Sequence, residues 1–185
     1  MVSFYLTLMA VLVSGFGARD QVTMGQLTLK QGARPAALVI GIVLAIVTAA
    51  AAAYAASLVA PMLQPRARTI LAAMALAFAG GESLLIAPGR KPSEPTNSLA
   101  ALAVVLLAHQ LTDAARFLVF AVGVGTNAPL PAGIGGAIGG AALIAAGWFA
   151  PALVVNPRAR LLRRAFGLIL LLIAIYVALK GFQRI

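Results

Sequence analysis

The sequence predicts an all-α polytopic membrane protein whose six transmembrane helices form a 3+3 inverted repeat. Of its 185 residues, 62% are hydrophobic and 10% are charged, a balance typical of membrane proteins and not of soluble domains. The apolar segments are uniformly apolar, so they are expected to span as helices and not as barrel strands. Residues 64–68 (Gln-Pro-Arg-Ala-Arg) nearly recur at 156–160 (Asn-Pro-Arg-Ala-Arg). This similarity indicates a duplication, and three apolar segments per copy invert the second copy relative to the first.

The chain is interpreted as a single membrane domain, 1–185. Repeat 1 covers 1–87 and repeat 2 covers 98–185, while 88–97 has the Gly, Pro, Ser and charged residues of a surface linker. The net charge of +10 resides mostly in short segments between apolar runs, where basic residues are topology signals. No nucleic-acid partner is therefore expected. Cysteine is absent, which excludes disulfides and thiolate sites.

The distribution of basic residues indicates an orientation. Eight basic residues lie on one side of the predicted membrane and four on the other. Because cytoplasmic loops carry the excess of Lys and Arg, this distribution favours both termini outside the cytoplasm. The eight are Lys30, Arg34, Arg90, Lys91, Arg158, Arg160, Arg163 and Arg164, and the four are Arg66, Arg68, Lys180 and Arg184. No charged segment precedes Arg19 and no cleavage site is evident, so the first span is expected to be retained and not removed as a signal peptide.

The first three spans are predicted at about 3–29, 36–63 and 69–86. The first is apolar until Ser14 and polar thereafter, and the glycines between its two halves are expected to break or bend the helix. The second is rich in alanine, which favours close helix packing. The third is interrupted by the Gly-Gly-Glu-Ser sequence that contains Glu82.

The last three spans are predicted at about 98–124, 130–152 and 161–179. The fourth repeats the change from apolar to polar, with His109, Gln110 and Asp113 in its middle. The fifth carries a face of glycines suited to close packing, and the sixth is dominated by Leu, Ile, Ala and Val, as expected of a lipid-facing wall.

The candidate transport site is formed by Asp20 and Asp113. They are 93 residues apart, so the duplication places them at equivalent points of the first and fourth spans, facing each other across the pseudo-twofold axis. A charged side chain inside a membrane is costly and marks an ion pathway, a proton relay or a paired contact. Gln21 and Gln110 would add neutral oxygens to a cation site, although packing roles are equally open for both.

Arg19 and Arg116 accompany the two aspartates and cancel their charge. They are interpreted either as a gate that pairs with the acids when the site is empty or as crossed salt bridges that hold the two halves together. His109 and Glu82 are candidate proton-relay groups. Their alternatives are a hydrogen bond to a neighbouring helix for His109 and a membrane-interface position for Glu82.

The sequence contains no nucleotide-binding pattern, zinc signature or nucleophile motif. We therefore expect neither an enzyme nor a permanently bound cofactor. Transport driven by an ion gradient is the simplest remaining function.

The arrangement resembles the Gdt family of cation/proton exchangers, members of the LysE superfamily with E-x-G-D-[KR]-[ST] motifs in their first and fourth helices. In residues 15–21 (Gly-Phe-Gly-Ala-Arg-Asp-Gln) the matches are Gly17, Arg19 and Gln21, and Gly15 and Ala18 replace the motif's two acids. In residues 110–116 (Gln-Leu-Thr-Asp-Ala-Ala-Arg), Asp113 is retained and Gln110 replaces the glutamate. Residues 160–167 are also similar to the start of the family's last helix.

The resemblance implies an antiporter of Mn²⁺ or Ca²⁺ against protons, with Asp20 and Asp113 as metal ligands. It also implies a multi-pass protein of the bacterial inner membrane, with the lipid bilayer and the transported ion as partners and a homodimer as a further possibility. Two alternatives remain open. The first is an anion or small-metabolite exporter of the LysE type, and the second is a membrane scaffold that transports nothing.

Overall fold

The computed structural model describes residues 1–86 and 98–182, and all secondary structure within these ranges is helical. The first half contains α1 (Val2–Ser14), α2 (Arg19–Gln31), α3 (Pro35–Val59), a 3-10 turn (Ala60–Met62) and α4 (Pro65–Leu85). The predicted linker 88–97, with Arg90, Lys91 and Glu94, lies outside the described residues, as does Arg184.

The second half repeats this order of elements. It contains α5 (Leu99–Leu111), α6 (Ala114–Gly125), α7 (Pro129–Phe149), the short α8 (Pro151–Val154) and α9 (Pro157–Gly181). Each half therefore has two short helices, a long helix, a short helical turn and a second long helix. The all-helical prediction is confirmed for the described part of the chain.

Four helical segments are long and apolar enough to cross a membrane: Pro35–Met62, Pro65–Leu85, Pro129–Phe149 and Pro157–Gly181. The pairs α1 with α2 and α5 with α6 also qualify when each is taken as one bent segment. The described residues therefore contain four candidate spans, or six if each bent pair crosses once. This composition is that of a multi-pass integral membrane protein.

Proline begins each of the four long helices, at Pro35, Pro65, Pro129 and Pro157. The first turn of a helix has no internal acceptor for its N–H groups, so a residue without an N–H is tolerated there and its fixed φ favours the helix. Within a helix the same residue would interrupt the hydrogen bonding. The two identical Pro-Arg-Ala-Arg sequences therefore mark the starts of α4 and α9.

The first bent pair is broken between Ser14 and Arg19, and its two helices differ in direction by 53°. Gly17 adopts a φ of +78°, a left-handed conformation that glycine enters without steric cost. The break predicted from the glycines of this segment is confirmed.

The second bent pair changes direction by 47° between α5 and α6. Asp113 is the N-cap residue of α6, and its Oδ2 accepts a hydrogen bond from Ala115 N–H at 3.4 Å. The sequence placed polar residues here, but no break was predicted because no glycine marks the position.

Helix packing relies on close backbone contacts. The main pairs are α4 with α9, α3 with α7, α4 with α6 and α1 with α7. A Cβ atom on Gly80 would lie 2.8 Å from the carbonyl oxygen of Gly167, so α4 and α9 touch at these residues. Glycines of α7, including Gly136 and Gly139, are buried against neighbouring helices, which confirms the predicted packing face.

Candidate functional site

Six charged side chains from four helices meet where the two breaks approach each other, and we call them the charged cluster. Its members are Arg19 and Asp20 at the start of α2, Glu82 in α4, Asp113 and Arg116 at the start of α6, and Arg163 in α9. All except Arg19 are buried. Because such residues are expensive inside a membrane protein, their convergence identifies the candidate site.

Arg163 lies at the centre of the cluster with only 1% of its surface exposed. Its Nη2 forms a short charged hydrogen bond with Glu82 Oε2 and a second with Asp113 Oδ1 at 3.0 Å. Its Nη1 donates to the carbonyl oxygen of Gly17 at 3.3 Å. One guanidinium thus connects α9, α4, the first break and the second break.

Glu82 receives two kinds of positive charge. Besides Arg163, its Oε2 accepts from the backbone N–H of Ala114 at 3.3 Å, so the carboxylate occupies the N-terminal end of α6, where the helix dipole favours negative charge. Its Oε1 lies 3.3 Å from Arg19 Nε as an ion pair without hydrogen-bond alignment. Glu82 therefore belongs to the charged cluster.

Arg19 joins the two breaks directly. From the start of α2 its Nη2 donates to the carbonyl oxygen of Thr112 at 3.1 Å and to Thr112 Oγ1 at 2.8 Å. Thr112 is the residue that ends α5. Arg19 is the more exposed arginine of the cluster, so it lies at the edge and Arg163 at the centre.

Asp20 is held chiefly by its own helix. Its Oδ1 accepts from the backbone N–H of Gln21 at 2.7 Å, and no arginine or lysine nitrogen of the described residues comes within ion-pair distance. The side chains that act on it through their charge are Asp113, Arg116 and Arg163. Asp20 and Asp113 are thus brought into the same cluster, as their spacing predicted.

Arg116 is 6% exposed and donates from Nε to Thr48 Oγ1 at 2.7 Å. Thr48 in turn donates to the carbonyl oxygen of Leu44 at 2.8 Å. Neither terminal nitrogen of Arg116 has a hydrogen-bond acceptor in the described part of the chain. The pairing of Arg19 and Arg116 with the two aspartates does not appear in this structure, since Arg19 pairs with Glu82 and Arg116 with Thr48.

The two predicted glutamines are fully buried at the breaks. Gln21 Oε1 accepts from Gly17 N–H at 2.7 Å, while its Nε2 has no hydrogen-bond partner among the described residues. Gln110 Nε2 donates to the carbonyl oxygen of Gly41 at 3.3 Å, and its Oε1 accepts from Thr48 at 3.4 Å. Both stabilise the backbone around the site.

His109 lies one turn before the second break and outside the charged cluster. Its Nδ1 is 3.4 Å from Thr23 Oγ1, a hydroxyl that also donates to the carbonyl oxygen of Arg19 at 2.7 Å. The contact links α5 to α2, as the neighbouring-helix alternative for His109 requires.

The cluster as arranged contains three carboxylates and three guanidiniums, so its formal charge is zero. Among the described residues no three His, Cys, Asp or Glu side chains are grouped so that they hold a metal ion. Oxygen ligands for a hard cation are present, but arginine and helix N-termini already occupy most of them. A cation that binds here must displace a guanidinium.

Arg163 was not predicted as a site residue, because basic residues between apolar segments were interpreted as topology signals. A signal for its burial exists in the spacing. Ala159, Arg163 and Gly167 recur every four residues and share one helix face with Ala174. Small residues on that face indicate close packing, so the arginine between them points toward a neighbouring helix.

In comparisons with protein-family models, with curated proteins and with solved structures, the chain has no significant match. The resemblance to the Gdt family therefore rests on the sequence segments around the two breaks.

Proposed function

We propose that the chain is a secondary transporter of the cation/proton-exchanger kind, with the charged cluster as its transport site. The observation that carries the proposal is the meeting of two helix breaks at buried carboxylates and guanidiniums. Broken helices at membrane depth occur where the freed backbone is buried in protein or lines a cavity. In transporters they build the substrate site at the interface of two repeats.

The matched order of elements supports a 3+3 inverted repeat. Both halves begin with a bent pair, continue with a long helix and a short turn, and end with a long helix. If each bent pair crosses the membrane once, each half crosses three times and the second half is inverted. Rocking of one half against the other would then expose the cluster to the two sides in turn.

The proposed exchange of a cation for protons follows from the pairing of carboxylates with guanidiniums in the charged cluster. Arg163 pairs with Glu82 and Asp113, and Arg19 pairs with Glu82. An incoming Mn²⁺ or Ca²⁺ would take the carboxylate oxygens and displace Arg163, because hard cations prefer oxygen ligands. Protons on the same carboxylates would release the cation on the other side. Asp20, which makes no ion pair in the described residues, supplies a further carboxylate.

The cargo is tested with purified protein in sealed liposomes. We expect Mn²⁺ or Ca²⁺ to enter when a pH gradient is imposed, and no entry without the gradient or in protein-free liposomes. Gradient-driven movement of a carboxylate metabolite with no cation flux would replace the cation exchanger by the anion exporter. If neither cations nor metabolites move, the membrane scaffold is the remaining alternative. The homodimer and the bacterial inner membrane remain predictions.

A further inference from the structure

A cavity of about 460 Å³ lies between α3, α4 and α6. Its wall is almost entirely apolar, and several lining residues are exposed on the outer surface of the helices. The exposed members include Met74, Phe78 and Leu111. The cavity is about halfway along α3 and α4, both of which are candidate spans. It therefore opens toward the hydrocarbon of the bilayer.

The buried polar residues in the lining are Arg116 and Thr48. Thr48 Oγ1 accepts a hydrogen bond from Arg116 Nε. The two terminal nitrogens of the guanidinium remain available to donate to another group. In the part of the chain that the structure describes, neither has a hydrogen-bond acceptor. Neither nitrogen is among the fully enclosed atoms that lack a partner, so both keep some accessible surface, and Arg116 lines the cavity.

Gly140 leaves the space that the guanidinium occupies. A Cβ atom at this position would lie 3.3 Å from Arg116 Nη1 and 3.4 Å from Ala45 Cβ. The absence of a side chain at residue 140 therefore lets the guanidinium sit between α6 and α7 without a tight contact.

The acids near Arg116 are engaged with other groups. Asp113 accepts from Arg163 and from the backbone of its own helix, and Asp20 accepts from the backbone of Gln21. Asp20 and Asp113 both act on Arg116 through their charge. Neither carboxylate is close enough to form an ion pair with Arg116 in the described structure. Arg116 is thus the one cluster arginine without a carboxylate in direct contact there.

We propose that this cavity binds a single-chain acyl carboxylate that enters from the bilayer. The acyl chain would lie along the apolar wall, and the carboxylate would accept two parallel hydrogen bonds from the terminal nitrogens of Arg116. Because Asp20 and Asp113 already act on Arg116 through their charge, a ligand with one negative charge is favoured over a doubly charged phosphate monoester. The proposal concerns binding at the lipid-facing side and does not depend on cation exchange.

The test uses the full-length protein in nanodiscs and a dodecanoate probe that carries a photoreactive diazirine at the end of its chain. After illumination, labelled residues are mapped by mass spectrometry, and labelling is expected at Met74, Phe78 and Phe117. Unlabelled dodecanoate should displace the probe, whereas dodecanol and acetate should not. Displacement by dodecanol as strong as by dodecanoate would overturn the proposal, as would stronger displacement by dodecyl phosphate.

Two pairs of variants separate the guanidinium from the cavity. Arg116→Gln should weaken probe binding at least about tenfold, since two charged hydrogen bonds are lost, while Arg158→Gln removes an exposed arginine and should change nothing. Ala51 lines the cavity from an exposed position, so Ala51→Trp should fill the cavity and abolish labelling. Ala50→Trp, which faces a separate cavity beside α7, should not. Labelling unchanged in Ala51→Trp would exclude this cavity as the site.

Discussion

Arg163 donates a hydrogen bond to Asp113 across 3.0 Å, although 50 residues separate the two in sequence. The bond fastens the start of the last long helix to the break between α5 and α6. Arg163 also reaches Glu82 in α4 and Gly17 in the first break. A single buried guanidinium therefore connects both bent pairs to α4 and α9.

Removal of this guanidinium should be strongly destabilising. Arg163→Gln leaves Glu82 and Asp113 buried with less compensating charge, and the loss of one partner of a buried ion pair costs about 3–5 kcal/mol. Arg158→Gln removes an exposed arginine from the same helix and should cost less than about 0.5 kcal/mol. The measurement is denaturant-induced unfolding in detergent micelles. Equal stability of the two variants would show that Arg163 does not hold the cluster together.

The close contact of α4 with α9 can be tested at two adjacent glycines. Gly80→Ala places a Cβ atom 2.8 Å from the carbonyl oxygen of Gly167, whereas at Gly81 an added Cβ meets nothing within 4 Å. We expect Gly80→Ala to lower the free energy of unfolding by about 1–3 kcal/mol through overpacking. Gly81→Ala should be neutral or stabilising by up to about 1 kcal/mol, because alanine favours a helix. Denaturant-induced unfolding in detergent micelles measures both variants. A Gly80→Ala variant as stable as the native protein would contradict the close contact of α4 with α9.

The break between α1 and α2 depends on Gly17. Gly17 and Gly32 share a positive φ, of +78° and +79°, but an added Cβ at Gly17 would lie 3.0 Å from the carbonyl oxygen of Ala159, and at Gly32 it would meet nothing. Alanine at either position should cost about 1–3 kcal/mol in backbone strain. Gly17→Ala should cost more than Gly32→Ala because it also displaces α9. Thermal melting of the two variants measures the difference, which should vanish if the contact is absent.

Membrane topology is tested with single cysteines, since the chain has none of its own. Gln64 and Arg158 are both exposed. Gln64 directly precedes α4, and Arg158 lies in the first turn of α9. If each bent pair crosses the membrane once, three crossings separate these positions. An impermeant maleimide applied to intact cells should then label only one of Gln64→Cys and Arg158→Cys. Labelling of both from the same side would mean that a bent pair enters and leaves on one face.

The sequence predicted the long helices and the first break because apolar length and glycine position are local properties. It also predicted that Asp20 and Asp113 share a site, since duplication relates their positions. Arg163 was missed because its partners, Glu82 and Asp113, lie 81 and 50 residues away. The first turns of α9 contain several arginines. The charges of the residues nearby in sequence do not show which of these arginines points toward the protein interior.

The second break was missed for a different reason. Asp113 follows the C-cap residue of α5 and caps α6 through its side chain, and an aspartate within an apolar run predicts a cap only when the change of direction is already known. The pairing of Arg116 with Thr48 was also beyond the sequence, because it depends on how α3 packs against α6.

The central claim is that the charged cluster is the transport site. The most direct measurement is Mn²⁺ and Ca²⁺ flux into liposomes under an imposed pH gradient, for the native protein and the Asp20→Asn, Asp113→Asn double variant. Glu94→Gln is the matched control, since it removes the remaining acidic residue of the sequence, which belongs to the predicted linker. We predict flux in the native and control proteins and loss of flux in the double variant. Native-like flux in a folded double variant would contradict the assignment.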